Sequence, residues 1–305
     1  MIPKLGVEVA GLTLKNPLMP GSGPPGDSLM KLKKLEDNRA GCLVTKTIST
    51  SAAPKTRPVM AFEKDLFFNT EKWSTKSLEE WKNNILPGLS ERRIPLVASV
   101  GYTPKDLSIV IPELDGMVDA FEISTHYVGS DASSLLDAVR LASTLTDHPV
   151  FVKLSAHSTD IVASALAAEK GGASAITAIN SVGPVISVDV AKGASRLGTD
   201  SPYAWLSGPA IKPIAMRAVY DISKAVDIPV VACGGITNAS DILEFFMSGA
   251  SAVQMCTALI RNGPKHISRV LKDLSNLLHE HGIERLDDIR GTLIPRYKGA
   301  RDAPS

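Results

Sequence analysis

The chain has almost no net charge: 33 lysines and arginines stand against 32 aspartates and glutamates, a formal balance of +1 at pH 7. Such a balance offers no field to draw in nucleic acid or an anionic membrane surface, so a small molecule is the expected partner. Cysteine is scarce, with three residues in 305. Cys42 in "GCLVTK", Cys233 in "VVACGG" and Cys256 in "VQMCTAL" share no C-x-x-C spacing. That excludes a zinc site or an iron–sulfur centre and predicts reduced, buried thiols. No apolar run reaches the roughly 20 residues that a membrane helix needs. The opening "MIPKLGVEVAG" also lacks a basic segment leading into a long apolar one. The expectation is a cytoplasmic protein with no metal, no membrane span and no leader.

What the sequence does have is a repeated alternation of short apolar runs with longer segments of helical period. Eight runs read as strands: 16–20, 42–48, 95–100, 120–124, 150–155, 175–180, 229–233 and 252–256. Each is nearly continuous in apolar residues, as a parallel strand covered on both faces requires. Between them, "SSLLDAVRLASTLTD", "STDIVASALAAEKGG" and "PIAMRAVYDISKAV" repeat apolar residues at three- and four-residue spacing, which predicts crossover helices. Hydrophobic residues make up 44% of the chain, enough for one large core, and no linker or composition break divides it. The reading is a single α/β domain over residues 1–305, a (β/α)8 TIM barrel, with "VEVAGLTLKNP" as an N-terminal β-hairpin at the barrel bottom. The stretch 49–76 is too long for a plain connection, and long loops on such barrels usually carry function.

Chemistry on a barrel gathers at the C-terminal ends of its strands. Lys46 in "LVTKTIS" and Lys153 in "FVKLS" interrupt apolar strands, where an unpaired ammonium costs several kcal/mol. Each needs an anionic partner: Glu122 on the neighbouring strand for Lys153, or an anion of a cofactor or substrate. Gly234 and Gly235 follow the seventh strand and Thr257 the eighth, the two places where barrels commonly bind phosphate. Gly21, Ser22 and Gly23 in "PGSGPPG" form a third glycine-rich opening. Asn69, Asn180 and Ser181 lie on the same rim and offer amides and a hydroxyl to a flat heterocycle.

Taken in order, these segments resemble the dihydroorotate dehydrogenase family of FMN-dependent barrels, from "LKNPLMPGSG" to "RLDDIRG". "NPLMPGSG" is similar to the family's first-strand motif under the flavin, and "GCLVTKTIS" to the segment whose lysine, here Lys46, contacts it. "FVKLS" is similar to the segment whose lysine, here Lys153, sits near flavin N1 and C2=O. "INSVG" resembles the segment whose Asn180 and Ser181 face flavin and substrate, and Asn69 matches the first asparagine of the substrate loop. The resemblance places Gly208, Gly234, Gly235, Cys256 and Thr257 on the flavin phosphate side. It implies FMN as cofactor, a small cyclic substrate, a homodimer and a role in pyrimidine biosynthesis. A soluble electron acceptor or a separate electron-transfer protein would re-oxidise the flavin.

Two segments depart from the family's pattern. The fourth strand normally leads into E-L-N-x-S-C-P-N or a variant with Ser as base. Ungapped alignment on Glu122 puts Ser124 at the first Asn, His126 at the Ser, Tyr127 at the base and Gly129 at the last Asn. "NTEKW" likewise replaces a substrate-loop pattern ending Met-Gly-Leu, and Cys256 replaces a phosphate-loop glycine. Tyr127 and His126 thus become the candidate proton-transfer groups, with Tyr127 at the base position. Its ordinary pKa of about 10 suits donation better than abstraction near neutral pH. Four readings stand at this level. They are an FMN-dependent oxidoreductase acting on a C–C/C=C bond of dihydroorotate or a relative, an alkene reductase with a non-pyrimidine substrate, an aldolase-type barrel using Lys153 as Schiff-base nucleophile, and a flavin-binding protein without turnover.

Overall fold

All eight runs become parallel strands of one sheet: β1 (Leu18–Pro20), β2 (Leu43–Val44), β3 (Leu96–Val100), β4 (Ala120–Ser124), β5 (Val150–Leu154), β6 (Ala175–Ala178), β7 (Val230–Cys233) and β8 (Ala252–Met255). The computed structural model describes residues 3–54, 59–101, 103–125, 132–197 and 201–293. The sheet runs β1-β8-β7-β6-β5-β4-β3-β2, and the Gly41 N–H donates to Leu18 O at 2.8 Å across the remaining seam. Side-chain contacts span the enclosed space. Gln254 on β8 reaches both Lys153 on β5 and Glu122 on β4, strands that are not its neighbours in the sheet. The architecture is a (β/α)8 barrel.

The crossover helices lie where the periodicity puts them, over Ala132–Thr144, Ile161–Lys170 and Lys212–Ser223. Asp160 caps the second by accepting from the Ala163 N–H at 2.9 Å. Their apolar faces cover the sheet, and Phe121, Phe151, Phe245, Phe246 and Trp81 are fully buried in one continuous core. The hairpin Val7–Val9/Leu12–Leu14 precedes the N-terminal end of β1 and buries Val9 and Leu14 in the same core.

Two features differ from the expectation. β2 is only two residues long, because the chain turns inward after Val44: the Lys46 N–H bonds to Gly26 O, and pairing with β3 resumes only as an isolated bridge at Ile48. The long stretch after β2 is not irregular. It folds as the hairpin Met60–Glu63/Leu66–Asn69, which pairs with Tyr203–Ser207 and through it with Val182–Ile186 in a four-stranded antiparallel sheet. The second half of that sheet, inserted between β6 and its helix, was not anticipated.

The seam between β1 and β2 is tight. A Cβ on Gly41 would stand 2.1 Å from Asn16 O, whereas one on exposed Gly116 would meet nothing within 4 Å. We expect Gly41→Ala to destabilise by about 1–3 kcal/mol or more, and Gly116→Ala to be neutral or slightly stabilising. Thermal unfolding of the two variants measures the difference.

Candidate active site

The C-terminal ends of the strands open on a cavity of about 1090 Å³, part of it continuous with solvent, a size suited to a small-molecule or cofactor site. Lys153 forms its floor. The ammonium is 4% exposed and donates to Gln254 Oε1 at 2.8 Å and to Ser22 Oγ at 3.5 Å, with Glu122 Oε1 at 3.7 Å. Glu122 Oε2 accepts from Thr177 Oγ1 at 2.9 Å and from Gln254 Nε2. Glu122, Thr177 and Gln254 come from even-numbered strands, as one interior layer of such a barrel should, and Lys153 joins them from β5. Burial works against the ammonium. Cys233 and Cys256, which carry charge only as thiolates at high pH, and the Glu122 carboxylate outweigh it, and the Lys153 pKa is pushed up to about 12. A Schiff-base lysine works as a free amine, whereas the contacts with Glu122 and Gln254 favour the ammonium here, which supports the oxidoreductase reading over the aldolase-type one.

One end of the cavity is built from glycine turns. Gly234 and Gly235 follow β7 with φ of 129° and 76°, and a Cβ on Gly235 would lie 2.7 Å from Lys212 N. Only glycine fits this left-handed, close-packed turn. Asp241 pins its far side by accepting from the Thr237 N–H at 2.7 Å and from Lys212 Nζ. Neither glycine amide donates to an acceptor among the described residues. Gly208, with φ of 85°, and Thr257, whose hydroxyl donates to Ser207 Oγ at 3.1 Å, complete this end.

The other end carries polar side chains. Ser124, Asn180 and Ser181 line it, with Asn180 Oδ1 accepting from the Ser181 N–H at 2.8 Å. Asn69 is tied into the inserted sheet: its Nδ2 donates to Trp205 O at 3.2 Å and its Oδ1 accepts from the Glu71 N–H at 3.2 Å. Lys46 reaches in from the turn after β2 and pairs with Glu71.

The structure therefore brings Ser22, Gly23, Lys46, Asn69, Ser124, Lys153, Asn180, Ser181, Gly208, Gly234, Gly235, Cys256 and Thr257 around one cavity. Gly21 does not line it. The Gly21 N–H bonds to Met255 O, and a Cβ there would meet the Cys256 Cβ at 3.1 Å, so this glycine serves the close approach of β1 to β8. Cys256 is also not fully buried as expected, because it faces the cavity; desolvation first, then Cys233, push its thiol up to about 12. His126 and Tyr127 lie outside the described residues. Sequence reasoning missed Gln254, Glu71, Ser207 and Trp205. Gln254 carried a readable signal, a polar residue inside an apolar strand, the same signal that marked Lys153.

A barrel with a buried cation at its floor, a glycine-lined anion cradle at one end and neutral donors at the other defines a cofactor-dependent oxidoreductase site. The family model "Dihydroorotate dehydrogenase" matches residues 4–278, and the chain belongs to that family. The catalytic subunit of dihydroorotate dehydrogenase B (NAD(+)) from Pyrococcus horikoshii is 32% identical across 95% of this chain and 98% of its own length. Its counterparts from Methanocella arvoryzae and Desulforudis audaxviator are each 33% identical across 94% of this chain and 97% of theirs. The protein is an FMN-dependent oxidoreductase of the dihydroorotate dehydrogenase type, acting on a CH–CH donor.

The residues present fit FMN. The uncommitted Gly234 and Gly235 amides suit a phosphate, and Lys153, held protonated, suits the electron-rich edge of a reduced flavin. Glu122 Oε1 has no hydrogen-bond partner among the described residues, so its charge depends on Lys153. Lys153→Met should lower stability by about 3–5 kcal/mol by stranding a buried carboxylate, and Lys153→Met/Glu122→Gln should recover part of that loss. Because its partners outweigh burial and leave the Lys153 pKa above its ordinary 10.5, its contribution is present below about pH 10.5 and is lost as pH rises through about 12. Denaturant midpoints of wild type and variants across that range check both statements.

Proposed function

We propose that the chain moves hydride and a proton between FMN and one C–C bond of dihydroorotate or a related small cyclic compound, with Tyr127 as the proton-transfer group. The observation that carries this reading is the buried ammonium of Lys153, held at the cavity floor by Gln254 and Glu122. FMN, when bound, would supply the two-electron redox chemistry. Lys153 keeps a fixed positive charge where negative charge accumulates on reduction. Gly208, Gly234, Gly235, Cys256 and Thr257 cradle the phosphate, and Gly23, Ser22 and Lys46 border the ring. Asn69, Ser124, Asn180 and Ser181 orient the substrate, and the inserted sheet excludes water from one side through Phe67 and Trp205.

Tyr127 follows Ser124 by three residues and holds a proton at its hydroxyl, with His126 beside it in sequence as the second candidate. A phenol of ordinary pKa near 10 is a proton donor at neutral pH, which favours reduction of an activated alkene over dehydrogenation. That relatives are named as catalytic subunits of NAD(+) enzymes supports a separate electron-transfer protein, over a soluble acceptor, as the electron partner of this chain. No helix among the described residues is long and apolar enough to cross a membrane; a cytoplasmic location is part of the proposal. A single barrel domain over residues 1–305, assembled as a homodimer, completes the proposal.

Half-reactions test it. With the flavin reduced in advance and an activated cyclic alkene added, Tyr127→Phe should slow flavin re-oxidation by about 10²- to 10⁴-fold, with a smaller effect from His126→Ala. A loss below about threefold in Tyr127→Phe would show that the proton comes from elsewhere.

A further inference from the structure

Among the described residues, the charged side chains lining the cavity are Lys46, Glu71, Lys72 and Lys153. Lys153 belongs to the floor network, and Lys72 is exposed at the rim, where solvent and salt screen it. Lys46 and Glu71 differ from both. They form an ion pair whose side chains are only 10% and 19% exposed, within the cavity. This is not an opportunistic surface contact, because the backbone fixes both ends. The Lys46 N–H donates to Gly26 O at 2.9 Å, directly after β2. The Glu71 N–H donates to Asn69 Oδ1, and Asn69 Nδ2 donates to Trp205 O, both at 3.2 Å, which locks the start of this loop to the inserted sheet.

A cation near the substrate end of a cavity is the natural partner of a substrate carboxylate. Here the chain brings its own carboxylate to that cation. A second carboxylate entering the site meets the Glu71 charge at short range in a partly enclosed space, where like charges repel far more strongly than in water. Besides the floor ammonium of Lys153 and the exposed Lys72, the polar side chains that remain for a ligand among the described residues are neutral. The Ser124 and Ser181 hydroxyls line the same end, and Asn180 Nδ2 has no acceptor among the described residues. Hydroxyls and an amide N–H₂ complement the carbonyls and N–H groups of a cyclic amide.

We propose that Glu71 is a specificity-determining residue that neutralises Lys46 and excludes carboxylates, so that the substrate is an uncharged cyclic amide of the dihydrouracil type rather than a ring bearing an acid group. The inference rests on the oxidoreductase reading above and deepens it by naming the substrate class.

Ligand binding tests the proposal without turnover. Uracil and orotate are titrated into the purified protein, wild type and Glu71→Gln, by calorimetry and in parallel by perturbation of the flavin spectrum. An unchanged flavin spectrum before titration shows that the variant is folded. Wild type should bind uracil at least about tenfold more tightly than orotate, because one uncompensated charge contact is worth a factor of ten or more. Glu71→Gln should shift the ratio toward orotate by at least about tenfold, chiefly through tighter orotate binding, since Lys46 is then released to it. Preference of wild type for orotate, a ratio unmoved by the substitution, or binding of neither ligand would each overturn the proposal. Failure of the protein to take up FMN would count instead against the oxidoreductase reading, and calorimetry would still report the preference.

Discussion

One ammonium inside an apolar barrel sets the terms for everything above it. Lys153 cannot be buried on β5 without partners, and the interior supplies them from β4, its neighbour in the sheet, and from β8 across the barrel. Gln254 is the hinge of this arrangement, with its carbonyl turned to Lys153 and its amide to Glu122. An amide accepts from a cation through its oxygen and donates to an anion through its nitrogen at the same time. The pair is thereby held slightly apart, at 3.7 Å, and the ammonium stays available to the cavity rather than being consumed by a tight salt bridge.

Above that floor the cavity is asymmetric, and each end follows from local backbone chemistry. At the phosphate end, positive φ and lack of side-chain space demand glycine, and the price in chain entropy is offset by the clamp of Asp241 on Thr237 and Lys212. At the substrate end the determinants come from loops and from the inserted sheet, whose strands the barrel does not need for closure. Asn69 illustrates the division. It lies at the end of an inserted strand, and its side chain both joins two strands and holds the backbone that presents Glu71. Changes in the inserted segments therefore alter ligand choice while leaving the barrel intact.

Much of this was legible in the sequence. Parallel strands buried on both faces leave continuous apolar runs, so all eight were found, and charged residues inside such runs pointed to Lys46 and Lys153. Boundaries failed where hydrogen bonding and apolar pattern part company: residues 45–48 look like strand, yet Lys46 bonds to Gly26 instead of to a neighbouring strand. The inserted strands around 182–186 and 203–207 escaped because 203–207, the strand that anchors them, pairs with a hairpin more than a hundred residues earlier, and no local pattern encodes that partner. Gly21 was assigned to the cofactor from its place in a motif, and the structure shows it at the close β1–β8 approach, where its N–H bonds to Met255 O. Glu71 sits in a loop without periodicity, and only three-dimensional proximity to Lys46 gives it meaning.

The central claim is that the Lys153 network holds a fixed positive charge against bound FMN. The most direct measurement is the two-electron midpoint potential of the bound flavin in wild type and in Lys153→Met. The account predicts a yellow wild-type protein whose potential drops by at least about 30 mV in the variant, the equivalent of about 1.4 kcal/mol of lost stabilisation of the reduced form. Equal potentials in the two proteins, or a wild type that binds no flavin, would contradict it.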